Sequence, residues 1–194
     1  MKKQLFFLPF VAAVGLNFTG VSEKMSVNTT QSTISWKAYK VTGSHEGILK
    51  LKEGALNVQD GQLIGGNFIM DMTSISVTDL EGDMKGKLEG HLKSDDFFGV
   101  TTYPTAKLEV TNVTSRGTEG AYKVTANLTI KNITKEIKFN ADILQENGQT
   151  IGTADIVVDR SDFNVRYGSG SFFENLGDKT IYDEFELSVR LVVE

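Results

Sequence analysis

The amino-acid sequence predicts an all-β domain: eight antiparallel strands closed into a barrel, with one short helical segment between strands 3 and 4. Three observations carry this. Apolar and polar residues alternate with a period of two over most of the chain, the pattern of half-buried strands. Turn-forming clusters, QDGQ at Gln59–Gln62, SRGTEG at Ser115–Gly120 and ENGQ at Glu146–Gln149, punctuate that alternation. The 194 residues include 19 Gly, two Pro and abundant Thr, Val and Ile, a composition suited to sheet and not to disorder. Strands of this number, apolar on one face, favour closure, because only a closed sheet has no exposed edges.

The N-terminus reads as an address. Lys2 and Lys3 precede the apolar run LFFLPFVAAVGL, Leu5–Leu16, which has the charge and length of a secretory leader. It is short of the roughly 20 residues that span a bilayer. Cleavage is expected near Gly20–Ser22, giving a leader over residues 1–22, a barrel domain over residues 23–194, and a periplasmic or secreted product.

The strands follow in order. Thr33–Tyr39, Gly47–Asn57 and Gln62–Met72 alternate weakly. Leu80–Gly99 breaks the period, with Leu80, Met84, Leu88 and Leu92 on one helical stripe. Gly82, Gly86 and Gly90 each weaken a helix by roughly 1 kcal/mol, so short turns are expected there. Ser94, followed by Asp95 and Asp96, reads as an N-cap. Ala106, Leu108 and Val110 resume the alternation. The clearest stretch is Ala121–Ile143, where Tyr122, Val124, Ala126, Leu128 and Ile130 share one face, and Ile137, Phe139, Ala141 and Ile143 share the next. Thr150–Val158 is a seventh strand. In the last strand Phe185, Leu187, Val189, Leu191 and Val193 alternate with Glu184, Glu186, Ser188, Arg190 and Val192.

Composition excludes several function classes. Lys plus Arg total 20 against 25 Asp plus Glu, a net charge of −5, and no basic run exists to neutralise phosphates, so nucleic acid is not expected as a partner. Without Cys there are no disulfides, thiolate metal sites or thiol catalysis. His45 and His91 are too few for a histidine metal site, and no cofactor is expected. Nucleophile-elbow, zinc-protease, phosphate-loop and dinucleotide motifs are absent, which argues against an enzyme.

The interior faces mix large residues (Phe68, Phe139, Phe185) with small ones (Ala106, Ala126, Ala141, Ala154). Opposed small residues would leave an apolar void able to hold an apolar molecule. An ordinary packed core is the alternative.

Three ordered segments carry a resemblance. HLKSDDFFGVTTYPTAKLEV (His91–Val110), LTIKNITKEIKFNADI (Leu128–Ile143) and VDRSDFNVRYGSG (Val158–Gly170) resemble the YceI-like family, and SWKAYKVTGSHEGILKLKEG (Ser35–Gly54) resembles its opening strands. The resemblance implies a lipocalin-like barrel around an elongated apolar pore. It also implies binding, with storage or transport, of a polyisoprenoid or similar long-chain amphiphilic lipid. The sequence departs from the family at Asn164 and in a longer stretch before the last strand. A structural or stress-related barrel with a packed core, and a small transmembrane barrel, are the alternatives; a homodimer is left open.

Candidate pore-wall residues on apolar strand faces are Trp36, Phe68, Met70, Leu128, Phe139 and Phe185. Phe97, Phe98 and Phe163 lie in the family motifs, where Phe97 and Phe98 could instead pin the helix. His45 and Arg160 are candidates for a lipid head group, against structural roles for both. Phe172 and Phe173 sit in a glycine-flanked loop and are candidates for the pore mouth. The Trp36 indole N–H, if it faces the interior, is expected to bond a backbone carbonyl.

Overall fold

The computed structural model describes residues 22–194; the charged and apolar parts of the expected leader lie outside the described residues. The chain runs through β1 (Ser22–Lys40), β2 (Gly43–Gln59), β3 (Gln62–Val77), α1 (Gly82–Lys93), β4 (Thr105–Ser115), β5 (Ala121–Ile130), β6 (Ile133–Glu146), β7 (Gln149–Asp159) and β8 (Ile181–Val193). Two single 3-10 turns, Arg160–Phe163 and Gly177–Lys179, lie between β7 and β8. Every strand pairs antiparallel with its sequence neighbours, and β8 returns to β1, closing the barrel.

Turn chemistry sets the register. The β2–β3, β5–β6 and β6–β7 loops are two residues long, and both central residues have positive φ: Asp60 and Gly61, Lys131 and Asn132, Asn147 and Gly148. Such turns match the right-handed twist of the strands they join. The strands outrun the apolar alternation. β1 is 19 residues long because its polar opening, SEKMSVNTTQ, still pairs with β2 and β8. The Asn28 side chain accepts bonds from the Thr30 and Gln31 amides, where the register of β1 shifts.

The two ends of the barrel differ. At the hairpin end Leu56, Leu63, Tyr122, Val124 and Val193 pack together, and the Tyr122 hydroxyl accepts from the Leu63 amide at 3.3 Å. The opposite end, here the cap end, carries the long β3–β4 and β7–β8 connections. Phe97, Val100, Phe163 and Val165 pack there under Met72, Ile75, Ile130 and Val158.

The helical segment differs from the sequence expectation twice. First, α1 is one continuous helix of 12 residues, not short turns. Gly86 and Gly90 face open space, so they pack against nothing. What fixes the helix is Glu89, whose carboxylate accepts from Ser76 Oγ at 3.0 Å and the Val77 amide at 2.9 Å at the end of β3. A short glycine-containing helix is marginal alone and takes its stability from such docking. Second, Ser94 is the C-cap. Its amide and hydroxyl both bond the His91 carbonyl, at 3.1 and 2.7 Å, and the chain then turns through Asp95–Phe98.

The strand register yields a direct test. Phe139 faces the interior, whereas Lys138 is exposed and touches only Glu136 as an ion pair. Phe139→Asp should cost several kcal/mol by burying an unpaired carboxylate, and Lys138→Asp about 0.5–1 kcal/mol. Urea denaturation of both variants checks this; equal midpoints would place the strand in the other register.

Candidate functional site: an apolar lumen

The inward residues do not fill the barrel. A cavity of about 180 Å3 runs through it, walled by side chains from all eight strands and by Leu92, Phe97 and Phe98 from the β3–β4 connection. Trp36, Phe68, Met70, Phe139 and Phe185 are only half-buried although they point away from bulk water. The surface they keep is the surface of the lumen. Leu128 is buried and also contributes to the wall.

The void follows from which residues face each other. Antiparallel partners point to the same side of the sheet. Ala141 lies opposite Ala154, and Gly152 stands between Ile143 and Leu191. Trp36 lies opposite Gly47. Phe68 lies opposite Gly54, where a Cβ would come within 2.8 Å of the ring. Large rings therefore lie flat over strand positions with no side chain, and the centre stays open.

Eight of the nine candidate wall residues line the cavity: Trp36, Phe68, Met70, Phe97, Phe98, Leu128, Phe139 and Phe185. Phe97 also stays pinned, 5.0 Å from Phe98 and under the Arg160 guanidinium at 5.4 Å. Phe163 sits elsewhere: it is 1% exposed, buried in the core of the cap end, outside the cavity wall. Its 3-10 turn drives the ring inward beneath Val158 instead of along a strand face.

The polar candidates sit at the cap end. Arg160 is 3% exposed and borders the cavity. Its Nε donates to the Tyr182 carbonyl at 3.2 Å, Nη1 to the Val165 carbonyl at 2.7 Å and Nη2 to the Ile181 carbonyl at 3.0 Å. Nη2 also lies 3.2 Å from Asp183 Oδ1. Burial pushes the guanidinium below its ordinary value, and Asp183 and Asp159 oppose that shift. Arg160 thus knits the β7–β8 connection to the start of β8.

His45 is absent from the cavity wall. Its Nδ1 lies 2.8 Å from Asp79 Oδ2, while Asp79 Oδ1 accepts from the Glu46 amide at 3.2 Å. The pair ties β2 to the chain leading into α1. Phe172 and Phe173 are partly exposed, and Arg166 stacks on Phe172 at 4.7 Å. The Trp36 indole nitrogen is buried without a partner, where the sequence reading expected a backbone carbonyl.

Residues that the sequence reading missed include Gly47, Glu89 and Tyr182. Tyr182 borders the cavity yet is 52% exposed, so it stands at the cap-end rim. A glycine inside an alternating strand is the one signal that pointed to Gly47. No group of His, Cys, Asp and Glu among the described residues could hold a metal ion.

The YceI-like domain model matches residues 25–193. The chain belongs to the YceI-like family. Among solved YceI-like and related structures, BcnA of Burkholderia cenocepacia is 22% identical and superimposes with a TM-score of 0.70, covering 86% of this chain and 98% of that one. A polyisoprenoid binding domain from Saccharophagus degradans, implicated in plant cell wall breakdown, is 15% identical with a TM-score of 0.66, covering 88% and 97%. The Campylobacter jejuni YceI protein is 19% identical with a TM-score of 0.52, covering 69% and 74%. These likenesses establish the fold. A UPF0312 protein of Photorhabdus laumondii is 39% identical over 56 residues, a stretch spanning 29% of this chain and 28% of that protein.

The carboxylates holding the cap end predict its acid response. For Asp79 the upward push of burial is outweighed by bonds from His45 and the Glu46 amide; for Glu89 the Val77 amide bond dominates, aided by Ser76. Both carboxyls therefore sit below their ordinary values of 3.8 and 4.5. A lowered folded-state pKa gives stability that is present at neutral pH and is lost as the pH falls through the folded value. Amide protection factors in α1 should fall between about pH 5 and about pH 3, ahead of those in β5. Glu89→Gln should flatten that fall, and α1 protection independent of pH in the wild type would contradict the assignment.

Proposed function

We propose that this protein binds a polyisoprenoid, or a similar long-chain amphiphile, in its lumen as an exported carrier or store and not as an enzyme. The observation that carries the proposal is the open apolar lumen. One water needs a cavity of at least about 10–15 Å3, so a cavity of about 180 Å3 is far beyond a packing defect. Left empty, such a void costs about 4 kcal/mol at about 24 cal/mol per Å3. An apolar chain relieves that cost and removes its own surface from water, at roughly 25 cal/mol per Å2. The family membership and the polyisoprenoid-binding structural relative support the same reading.

The wall offers apolar contact along its length, so discrimination among chain lengths is expected to be loose. Phe68, Met70, Leu128, Phe139 and Phe185 are the proposed contacts for the tail, with Phe97, Phe98 and Leu92 closing over it at the cap end. Arg160 and Tyr182 mark the rim where a polar end would emerge. His45 is committed to Asp79 and is proposed as a strut of that rim.

A membrane-spanning barrel fits less well. The outward face carries Lys107, Glu109, Lys123 and Lys138 along the strands, and all four are exposed. A Lys facing the bilayer midplane costs about 2–4 kcal/mol. Export itself rests on Lys2–Lys3 and the run Leu5–Leu16.

Lipid extraction and native mass spectrometry of freshly purified protein should find a bound long-chain amphiphile. Delipidated protein titrated with a long isoprenoid alcohol should show a saturable change in emission from Trp36, the single tryptophan. Absence of both an extracted lipid and a saturable response would remove the carrier reading.

A further inference from the structure

The hairpin end of the lumen is shut by a break in the regularity of the barrel. Met70 and Phe68 face inward along β3, and Gly66 stands under the Phe68 ring on the same face. Strict alternation would bring Ile64 in next. The register against β2 slips there instead: Gly65 lies opposite Asn57 and Leu63 opposite Val58, so Ile64 is the extra residue of a bulge. A bulge bends its strand and re-aims the side chains beyond it. Ile64 is accordingly 46% exposed, while Leu63 is buried and lines the lumen.

β3 also leaves β4 at this point. Their pairing ends at Gly66 and Val110, and the Leu63 amide donates to the Tyr122 hydroxyl at 3.3 Å. Leu63 packs with Leu56 of β2 and Val124 of β5, which line the lumen, and with Tyr122 and Val193, which do not. The last two therefore lie behind the first three, and all five are buried. The lumen has a solid floor here, whereas at the cap end it reaches the exposed Tyr182. From Tyr182 to Val193 β8 runs about 36 Å at about 3.3 Å per residue, and a strand tilt of about 35–45° leaves about 25–30 Å along the axis.

We propose that Leu63, aimed inward by the bulge at Ile64 and held by Tyr122, is the stop that fixes the longest chain the lumen takes. This rests on the lipid-binding reading above and adds a length limit to it. The chain enters tail first. Arg160 and Tyr182 stand at the rim, while the floor offers only the methyl groups of Leu56, Leu63 and Val124. A polar end at the floor would be buried without a partner, because the Tyr122 hydroxyl is spent on Leu63 and lies off the lumen wall. A chain one unit too long has two places to put the surplus. Driving past Leu63 disrupts a close-packed corner. Standing out of the rim returns apolar surface to water. Both penalties begin at the same chain length, so the wall is permissive up to a limit that the floor sets.

The test is a competition. Delipidated protein is incubated with phospholipid vesicles carrying an equimolar series of linear isoprenoid alcohols, farnesol, geranylgeraniol and longer ones a single unit apart. The vesicles are spun out, and the alcohols retained by the protein are measured by mass spectrometry. Occupancy should peak at one length and fall about tenfold or more for the next longer alcohol, whose extra unit is left in water. Leu63→Ala should raise the ratio of that longer alcohol to the peak one by about tenfold. Val113→Ala, packed against the same cluster but off the lumen wall, should leave the ratio unchanged. In the unmodified protein, nuclear Overhauser contacts from the terminal methyls of the bound chain should reach the methyls of Leu56, Leu63 and Val124. Occupancy without a peak, an unchanged ratio in folded Leu63→Ala, or terminal methyls found beside Phe97 and Phe98 would overturn the role of Leu63 while leaving lipid binding intact. Retention of no alcohol at any length would overturn the carrier reading, and this inference with it. The peak and the Overhauser contacts are read on the unmodified chain, so the outcome stands even if Leu63→Ala does not fold.

Discussion

A closed sheet of eight strands sets the width of its own interior, and this constraint governs the rest of the molecule. Such a barrel can be filled by its side chains or can be left with room for one slender guest. The balance is decided by what stands opposite each large residue. Phe68 leans over Gly54 and Gly66, Trp36 over Gly47, and Ala141 faces Ala154. Each ring spends its bulk against the wall instead of reaching across the axis. Aromatic residues that would normally seal a core become its lining.

The buried charge stands at one end for the same reason. An apolar tube leaves nowhere in its middle for a buried charge, so Arg160, the one buried charged side chain among the described residues, sits where β7 ends. Arg160 gathers three carbonyls and one carboxylate, and Lys131 donates to the Phe97 carbonyl at 2.9 Å across from it. Burial pushes that lysine below its ordinary value, with Asp95 acting in opposition. These bonds hold a cap whose helix contributes no buried residue of its own. The cap is thus a mosaic of local polar ties over a firmly paired sheet, and local opening costs least in such places.

Much of this was legible in the sequence, because it is written in period two. Phe139, Phe185 and Leu128 were assigned to the interior from alternation alone, and the void from the alanines that accompany them. The cap was harder to read. Phe163 follows a strand but turns inward on a 3-10 turn, so strand periodicity misplaces it. Ser94 and its acidic neighbours carry the composition of a helix start; only the Glu89 tie to β3, a tertiary contact, decides that the helix lies before them. The orphaned indole was invisible for a related reason. Whether a donor finds a carbonyl depends on how both neighbouring strands are paired, which a single strand does not reveal.

The order of the strands has a kinetic side. Seven of the eight pairings join sequence neighbours, several through two-residue turns, and only β1 with β8 brings together distant parts of the chain. Hairpins of this kind assemble in about 1–10 μs, so most of the sheet can zip up locally. The entropy of loop closure is deferred to one late event, the meeting of Val27 with Val193. Until that meeting the lumen is an open apolar trough with two bare edges, and the nascent protein is at its most adhesive just before its last strand docks.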